Sequence, residues 1–249
     1  MSRNIIAIDT STEVVAIGLG ALEDGQVQVL GVGDIYAPRA ALAQTLPRVS
    51  ELLAAAGIEP AEIDMVVVGC GPGSFTGVRI GVSIAKGLAH GLGVPLFGVG
   101  TLDAIAWRVQ PLAQAPMLVG VLGDAMRSEV YPALFRVSAQ GVVRLEEDSV
   151  ARPAEVVERW AALGEPCLLT GNALHKYREL FGATEHTAFS LAEEALWSPS
   201  GEALLAAFGA AWATGSQGSG DVAALLPVYT RASDAEENER KAAEKGGPR

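Results

Sequence analysis

A pattern of strands and helices that runs once and then restarts constrains this chain more than any other feature. Ile5-Ile6-Ala7-Ile8 is an apolar run of strand length that ends on the polar turn Asp9-Thr10-Ser11-Thr12, and Val14-Val15-Ala16-Ile17 resumes at once. Asp24-Gly25 supplies a hairpin turn, with Val27, Val29 and Val32 in the strand beyond it. Strands joined this tightly make an antiparallel meander. A helical stretch opens at Pro38, where Leu42, Leu46, Val49, Leu53 and Ala56 keep helical spacing and Gly57 is placed as a terminator. Pro47 lies inside it and should kink it or mark its true start, because proline lacks the backbone donor and crowds the preceding turn. Met65 to Val68 is the next strand, Gly71-Pro72-Gly73-Ser74-Phe75-Thr76-Gly77 a glycine-rich loop, 76–92 a second helix and Pro95 to Val99 a fifth strand.

The restart comes at Met117 to Leu122, another apolar strand, with Asp124 at its end as Asp9 ends the first. Glu129-Val130-Tyr131 takes the place of Glu13-Val14-Val15, and Gln140-Gly141 makes a second hairpin before a strand over Val142 to Leu145. A helix from Pro153 to Leu163 and a strand over Cys167 to Thr170 follow. The expected architecture is α/β, with two tandem ribonuclease H-like βββαβα lobes over 1–105 and 106–231 and a charged tail over 232–249 expected to be disordered. This order of elements is similar to that of actin, the hexokinases and the large heat-shock ATPases, the ASKHA superfamily. Shared architecture alone says nothing of chemistry.

Composition excludes several functional classes. Of 249 residues, 49% are hydrophobic and 19% charged, so the chain can bury enough surface to fold. The net charge of −11 argues against a direct grip on RNA or DNA, whose affinity rests on neutralising phosphates. Cys70 and Cys167 stand far apart without a C-x-x-C companion and are expected to be buried thiols. The apolar neighbourhood from Ile80 to Leu102 is broken by Lys86, His90, Pro95 and six glycines, which excludes a membrane span. No export signal precedes the first strand, so a cytoplasmic protein is expected.

The second helix carries more apolar surface than one neighbour can cover. Val78, Gly81, Val82, Ala85, Leu88, Ala89 and Leu92 form one stripe, Arg79, Ser83, Lys86 and His90 a polar one, and Ile80, Ile84, Gly87 and Gly91 a third, again apolar. Glycines inside a helix cost about 1 kcal/mol each against alanine, which close approach of another backbone would offset. The extra stripe is covered either by the first helix of the same chain or by another protein.

The glycine loop precedes a helix N-terminus, a place that favours anions. It matches neither the Walker A nor the G-x-G-x-x-G pattern. Asp9, Thr10, Ser11, Gly71, Gly73, Ser74 and Thr76 are candidates for a vestigial phosphate site, and the plain alternative is a tight strand-to-helix turn anchored by Asp9. Ser83-Ile84-Ala85-Lys86 matches S-x-x-K without the motifs that accompany it in serine hydrolases, and no G-x-S-x-G elbow is present. His90, His175 and His186 lack the spacing of a metal clamp, so no metal is expected.

The residues resemble one family in particular. Ile6-Ala7-Ile8-Asp9-Thr10-Ser11-Thr12, Gly71-Pro72-Gly73-Ser74-Phe75-Thr76-Gly77-Val78-Arg79-Ile80-Gly81, Gly98-Val99-Gly100-Thr101-Leu102, Asp124-Ala125 with Glu129-Val130-Tyr131, and Pro227-Val228-Tyr229-Thr230-Arg231 are similar to TsaB, also called YeaZ. The resemblance runs from residue 4 to about 231 and is weaker between 140 and 225. It implies an actin-like subunit with no catalytic residue of its own. Such a subunit serves as scaffold and activator in forming threonylcarbamoyladenosine beside the anticodon of tRNAs that read codons beginning with A. The partner implied is TsaD, which transfers the threonylcarbamoyl group from its adenylate to the adenosine amine, assisted by the ATPase TsaE. TsaD's metal-binding H-x-x-x-H is lost in TsaB. Here Arg39 to Pro47 holds no histidine at all, not even the single one that TsaB proteins commonly carry near the position of Ala41.

Pairing with TsaD, or homodimerisation through the same patch, is implied for the first two helices. Leu42, Leu46, Val49, Val78, Ile80, Gly81, Ile84, Gly87 and Gly91 are the interface candidates. No cofactor is required, ATP or ADP at the partner interface is allowed for, and tRNA is reached only through the complex. Two other classes stay open on sequence. One is an ATP-dependent phosphotransferase or ATPase using Asp9 and the glycine loop, and the other a peptidase, suggested by the older glycoprotease naming of related proteins.

Overall fold

The computed structural model describes residues 2–182 and 188–230. The first meander is β1 (Arg3–Asp9), β2 (Val14–Glu23) and β3 (Gln26–Val32). Asp24 and Gly25 both take positive φ in the turn between β2 and β3, the geometry that fits the right-handed twist of a hairpin. A short β4 (Ile35–Tyr36), unforeseen in the sequence, pairs with the start of β2. Helix α1 (Ala41–Ala56) begins three residues after Pro38 and continues through Pro47, closing on Gly57 in the left-handed conformation. β5 (Ile63–Gly69), α2 (Phe75–Leu92) and β6 (Leu96–Val99) complete the sheet, in the order β3-β2-β1-β5-β6. β1 is antiparallel to β2 and parallel to β5, and its residues from Ile5 onward are buried.

The second half contains β7 (Met117–Asp124), β8 (Val130–Ser138), β9 (Gly141–Arg144), α4 (Pro153–Ala161), β10 (Cys167–Thr170), α5 (Leu174–Phe181) and β11 (Phe189–Leu191). Its sheet runs β11-β10-β7-β8-β9. α4 ends two residues before the expected Leu163. His186, Arg231 and the expected tail over 232–249 lie outside the described residues.

Two helices cross between the halves. A sheet needs cover on both faces. α1 and α2 cover one face of the first sheet, where Val49, Leu53, Val78, Val82, Ala85 and Ala89 pack with Ile6, Ile8, Ile17 and Val66. The opposite face is covered by α6 (Gly201–Thr214), from far along the chain, through Leu204, Leu205, Ala207 and Phe208. α3 (Thr101–Val109), which the expected boundary at 105/106 divides, packs as a single helix on the second sheet through Leu102, Ile105, Ala106 and Val109. Entry of α6 requires glycine on both sides of the crossing. A Cβ on Gly18 would lie 2.7 Å from the Gly201 carbonyl carbon and 2.9 Å from a Leu205 methyl. Asp34 joins the same crossing, its carboxylate accepting from the amides of Ile17 at 3.0 Å and Gly201 at 2.9 Å. Burial raises its pKa, with those two amides and Arg108 pulling the other way.

Candidate functional site

Asp9 ends β1 in the interior and is fully buried. One carboxylate oxygen accepts from the Ser11 amide at 2.7 Å and the other from the Thr101 hydroxyl at 2.7 Å. Burial raises the Asp9 pKa, and the hydrogen bonds from Ser11 and Thr101 oppose it. Thr101, on α3, in turn accepts from the Gly71 amide and the Ser11 hydroxyl, each at 3.1 Å, and its own amide donates to the Gly71 carbonyl at 2.9 Å. One threonine thus links the β1 turn, the glycine loop and the crossing helix. Sequence reading placed Thr101 in a motif without giving it this role.

The glycine loop lies flush on the turn. The Ser74 amide donates to the Ser11 carbonyl at 2.8 Å, and the Thr10 hydroxyl donates to the Gly77 carbonyl at 2.6 Å. A Cβ on Gly73 would stand 2.7 Å from the Ser11 carbonyl oxygen, one on Gly81 would stand 2.7 Å from the Thr10 hydroxyl, and one on Gly77 would collide with the Thr10 carbonyl oxygen. Ser74 caps α2 by accepting from the Gly77 amide, while Thr76 faces solvent. Asp9, Thr10, Ser11, Gly71, Gly73 and Ser74 thus lie together at one junction, linked through hydrogen bonds and close contacts with Thr101 and Gly77, while Thr76 stands outside it. Carbonyl oxygens of Thr10 and Ser11 face the loop.

The interface candidates divide. Val49, Val78 and Gly81 are buried against the chain's own sheet and the Thr10 turn, which removes them from any surface a partner could touch. The other six reach solvent. Leu42 is 68% and Leu46 44% exposed, Ile80 and Ile84 are half-buried, and Gly87 and Gly91 are exposed with open space beyond them. Gly81 is thus explained inside the chain, whereas Gly87 and Gly91 meet nothing within it.

The polar stripe of α2 has an occupant that the sequence did not reveal. Chain segment 219–230 returns along it, tied by Leu96 N–H to Gly220 C=O at 3.0 Å, Lys86 Nζ to Ala223 C=O at 3.3 Å and Val228 N–H to Cys70 C=O at 2.8 Å. Val222 and Leu225 pack into the core beneath. Cys70 and Cys167 are buried free thiols, each pushed up to about 12 by desolvation.

In the second lobe Asp124 ends β7 with its side chain 10% exposed. It is ion-paired to Lys176 and accepts from the Met126 amide at 3.0 Å, and its own amide donates to Asn172 Oδ1 at 2.9 Å. Asn172 reaches across to Glu13 at 3.2 Å. Met126, Arg127 and Ser128 all take positive φ, a conformation costly for residues with side chains. Among the described residues no group of three or more His, Cys, Asp or Glu side chains is placed to hold a metal, and no helix is long and apolar enough to cross a membrane.

Residues 29–238 match the family model described as TsaD, tRNA N6-adenosine threonylcarbamoyltransferase. The chain is also 34% identical over 180 residues to the Escherichia coli tRNA threonylcarbamoyladenosine biosynthesis protein TsaB, covering 71% of this chain and 74% of that one. The chain belongs to the TsaB (YeaZ) family. The Bacillus subtilis TsaB is 28% identical over 93% of this chain and 96% of its own length. An uncharacterized Mycobacterium leprae protein is 37% identical over 152 residues, which span only 40% of that protein. Among solved structures, YeaZ from Pseudomonas aeruginosa superposes with a TM-score of 0.73 at 29% identity, covering 91% of this chain and 99% of that one. The two-lobed actin-like architecture expected for TsaB proteins is the one found here.

Proposed function

We propose that this chain acts in forming threonylcarbamoyladenosine in tRNA, as a subunit that performs no chemical step itself but binds, stabilises and activates TsaD. The observation that carries this reading is the open apolar face of α1 and α2. Leu42, Leu46, Ile80 and Ile84 reach solvent there beside two glycines with free space above them, in a chain similar to TsaB over most of its length. Burying a leucine or isoleucine yields about 1.5–3 kcal/mol, so a handful of such side chains with close helix approach supports a stable pairing. In the free chain the same face pairs with a second copy, which TsaD displaces.

Asp9 supports this reading over an ATPase, because both its oxygens are engaged by Ser11 and Thr101 in the interior. Any nucleotide at the partner interface binds outside that junction. TsaE acts on the assembled pair, and tRNA is held by the complex, in keeping with a charge of −11. Depleting the chain in its native host and measuring nucleosides of bulk tRNA by mass spectrometry tests the assignment. Loss of threonylcarbamoyladenosine is expected, and an unchanged level refutes it.

A further inference from the structure

The first turns of α2 carry a group that the apolar face does not use. Arg79 lies with its guanidinium carbon 3.8 Å from the Phe75 ring centre and 5.5 Å from that of Tyr229, and its Nε donates to the Tyr229 hydroxyl at 2.8 Å. The two rings are themselves in contact, with centres 5.3 Å apart. The guanidinium is thereby fixed in position, so little side-chain entropy remains to be lost when it meets a ligand. Yet it has no carboxylate partner among the described residues, in a chain where acids outnumber Lys and Arg by 29 to 18. Arg48, Arg136, Arg144 and Arg159 all have one.

The surroundings are those of an interface. Phe75 and Tyr229 are 39% and 47% exposed, and Leu226 and Val228 beside Tyr229 are also exposed. Helical spacing sets Arg79 next to Thr76 and Ser83, and those two next to Ile80 and Gly87, so two short polar side chains stand between the cation and the open apolar face and Arg79 lies at its rim. Aromatic rings and arginine are the side chains on which binding energy concentrates. A preorganised guanidinium with no carboxylate partner among the described residues, at the rim of an apolar patch, is complementary to a carboxylate, which it holds through two parallel N–H bonds.

We propose that Arg79 receives an Asp or Glu carboxylate of TsaD and fixes the register in which TsaD docks on the α1–α2 face. This rests on the pairing proposed above, and the test separates the two. Affinity of the full chain for purified TsaD is measured by titration calorimetry across a range of salt for the wild type, Arg79→Met and Ile84→Asp. Methionine keeps an apolar stem on Phe75 while removing the charge, and an unchanged melting temperature checks that segment 219–230 stays in place. Arg79→Met is expected to weaken pairing about tenfold or more and to flatten its salt dependence. Arg79→Lys should recover part of the loss, and Arg79→Glu should be rescued by a charge-reversing substitution of one acid on TsaD.

Pairing lost in Ile84→Asp but unchanged in Arg79→Met overturns the role of Arg79 alone. Pairing indifferent to both substitutions overturns the docking face as well, and absence of any pairing overturns both proposals. If Arg79→Met leaves TsaD binding intact but weakens tRNA binding by the complex, the ligand is a phosphate and the carboxylate assignment is wrong.

Discussion

Asp9 and Asp124 occupy the same step of the repeated pattern, each closing the first strand of its lobe, and both are sheltered from solvent, but by different partners. Asp9 is fully buried and held by the neutral Ser11 and Thr101, whereas Asp124, its side chain 10% exposed, is ion-paired to the half-exposed Lys176. The difference arises from what comes later in the chain. The first lobe returns a glycine loop that can lie against the turn because Gly73, Gly77 and Gly81 present no Cβ, and the crossing helix α3 adds the threonine hydroxyl. The second lobe returns the β10–α5 connection and the first turn of α5, whose Asn172 and Lys176 meet Asp124 with polar groups. One turn has become a structural keystone, while the other keeps strained backbone and a charged pair.

That contrast predicts graded effects. Gly77→Val should be the most damaging, since the new side chain would displace the loop from the Thr10 carbonyl, and a loss of about 3 kcal/mol or more is expected in urea denaturation. A well-tolerated valine would show that the loop is not tightly seated. Asp9→Ala should cost about 2 kcal/mol by leaving the Ser11 amide and Thr101 hydroxyl unpaired in the interior. Lys176→Ala is expected to cost about 1 kcal/mol, less than Asp9→Ala, because the lysine is half-exposed and Asp124, although only 10% exposed, keeps the Met126 amide. Equal losses at both carboxylate sites would erase the distinction between the two turns.

A pH series sharpens the same point with a smaller signal. Because burial raises the Asp9 pKa, the native state binds its proton at a pH where the unfolded chain has already lost it. The penalty for a buried carboxylate is therefore present in full above the folded pKa and is relieved as pH falls through it. The stability of the wild type relative to Asp9→Asn should rise on acidification over that window. Asp34 and Asp103 are shifted the same way, so the difference between the two proteins, rather than the wild type alone, reports on Asp9.

Much of this was legible in the sequence. Strand and helix patterns located both meanders and the helices α1, α2 and α4, and the glycine spacing located the turn-and-loop junction, whereas α3, α5 and α6 went unread. Neither α3 nor α6 nor their crossing was read in the sequence; α6 is apolar on nearly every side, so it offers no amphipathic stripe to mark it or to say against which sheet it packs. Of the interface candidates, Val49, Val78 and Gly81 proved to be core because a helix has one buried face whose direction only the sheet beneath it sets. The return of segment 219–230 over the polar stripe was equally hidden, since Arg79 and Lys86 read as solvated charges until Tyr229 and the Ala223 carbonyl are beside them.

The open face left after those subtractions is tested most directly by titrating purified TsaD with the wild-type chain and with Ile84→Asp. The wild type should form a stable one-to-one pair, and Ile84→Asp should fail to do so while still unfolding in one cooperative transition, at a lower temperature because Ile84 also packs on the chain's own core. A folded Ile84→Asp protein that still binds TsaD with wild-type affinity would contradict the assignment of that face.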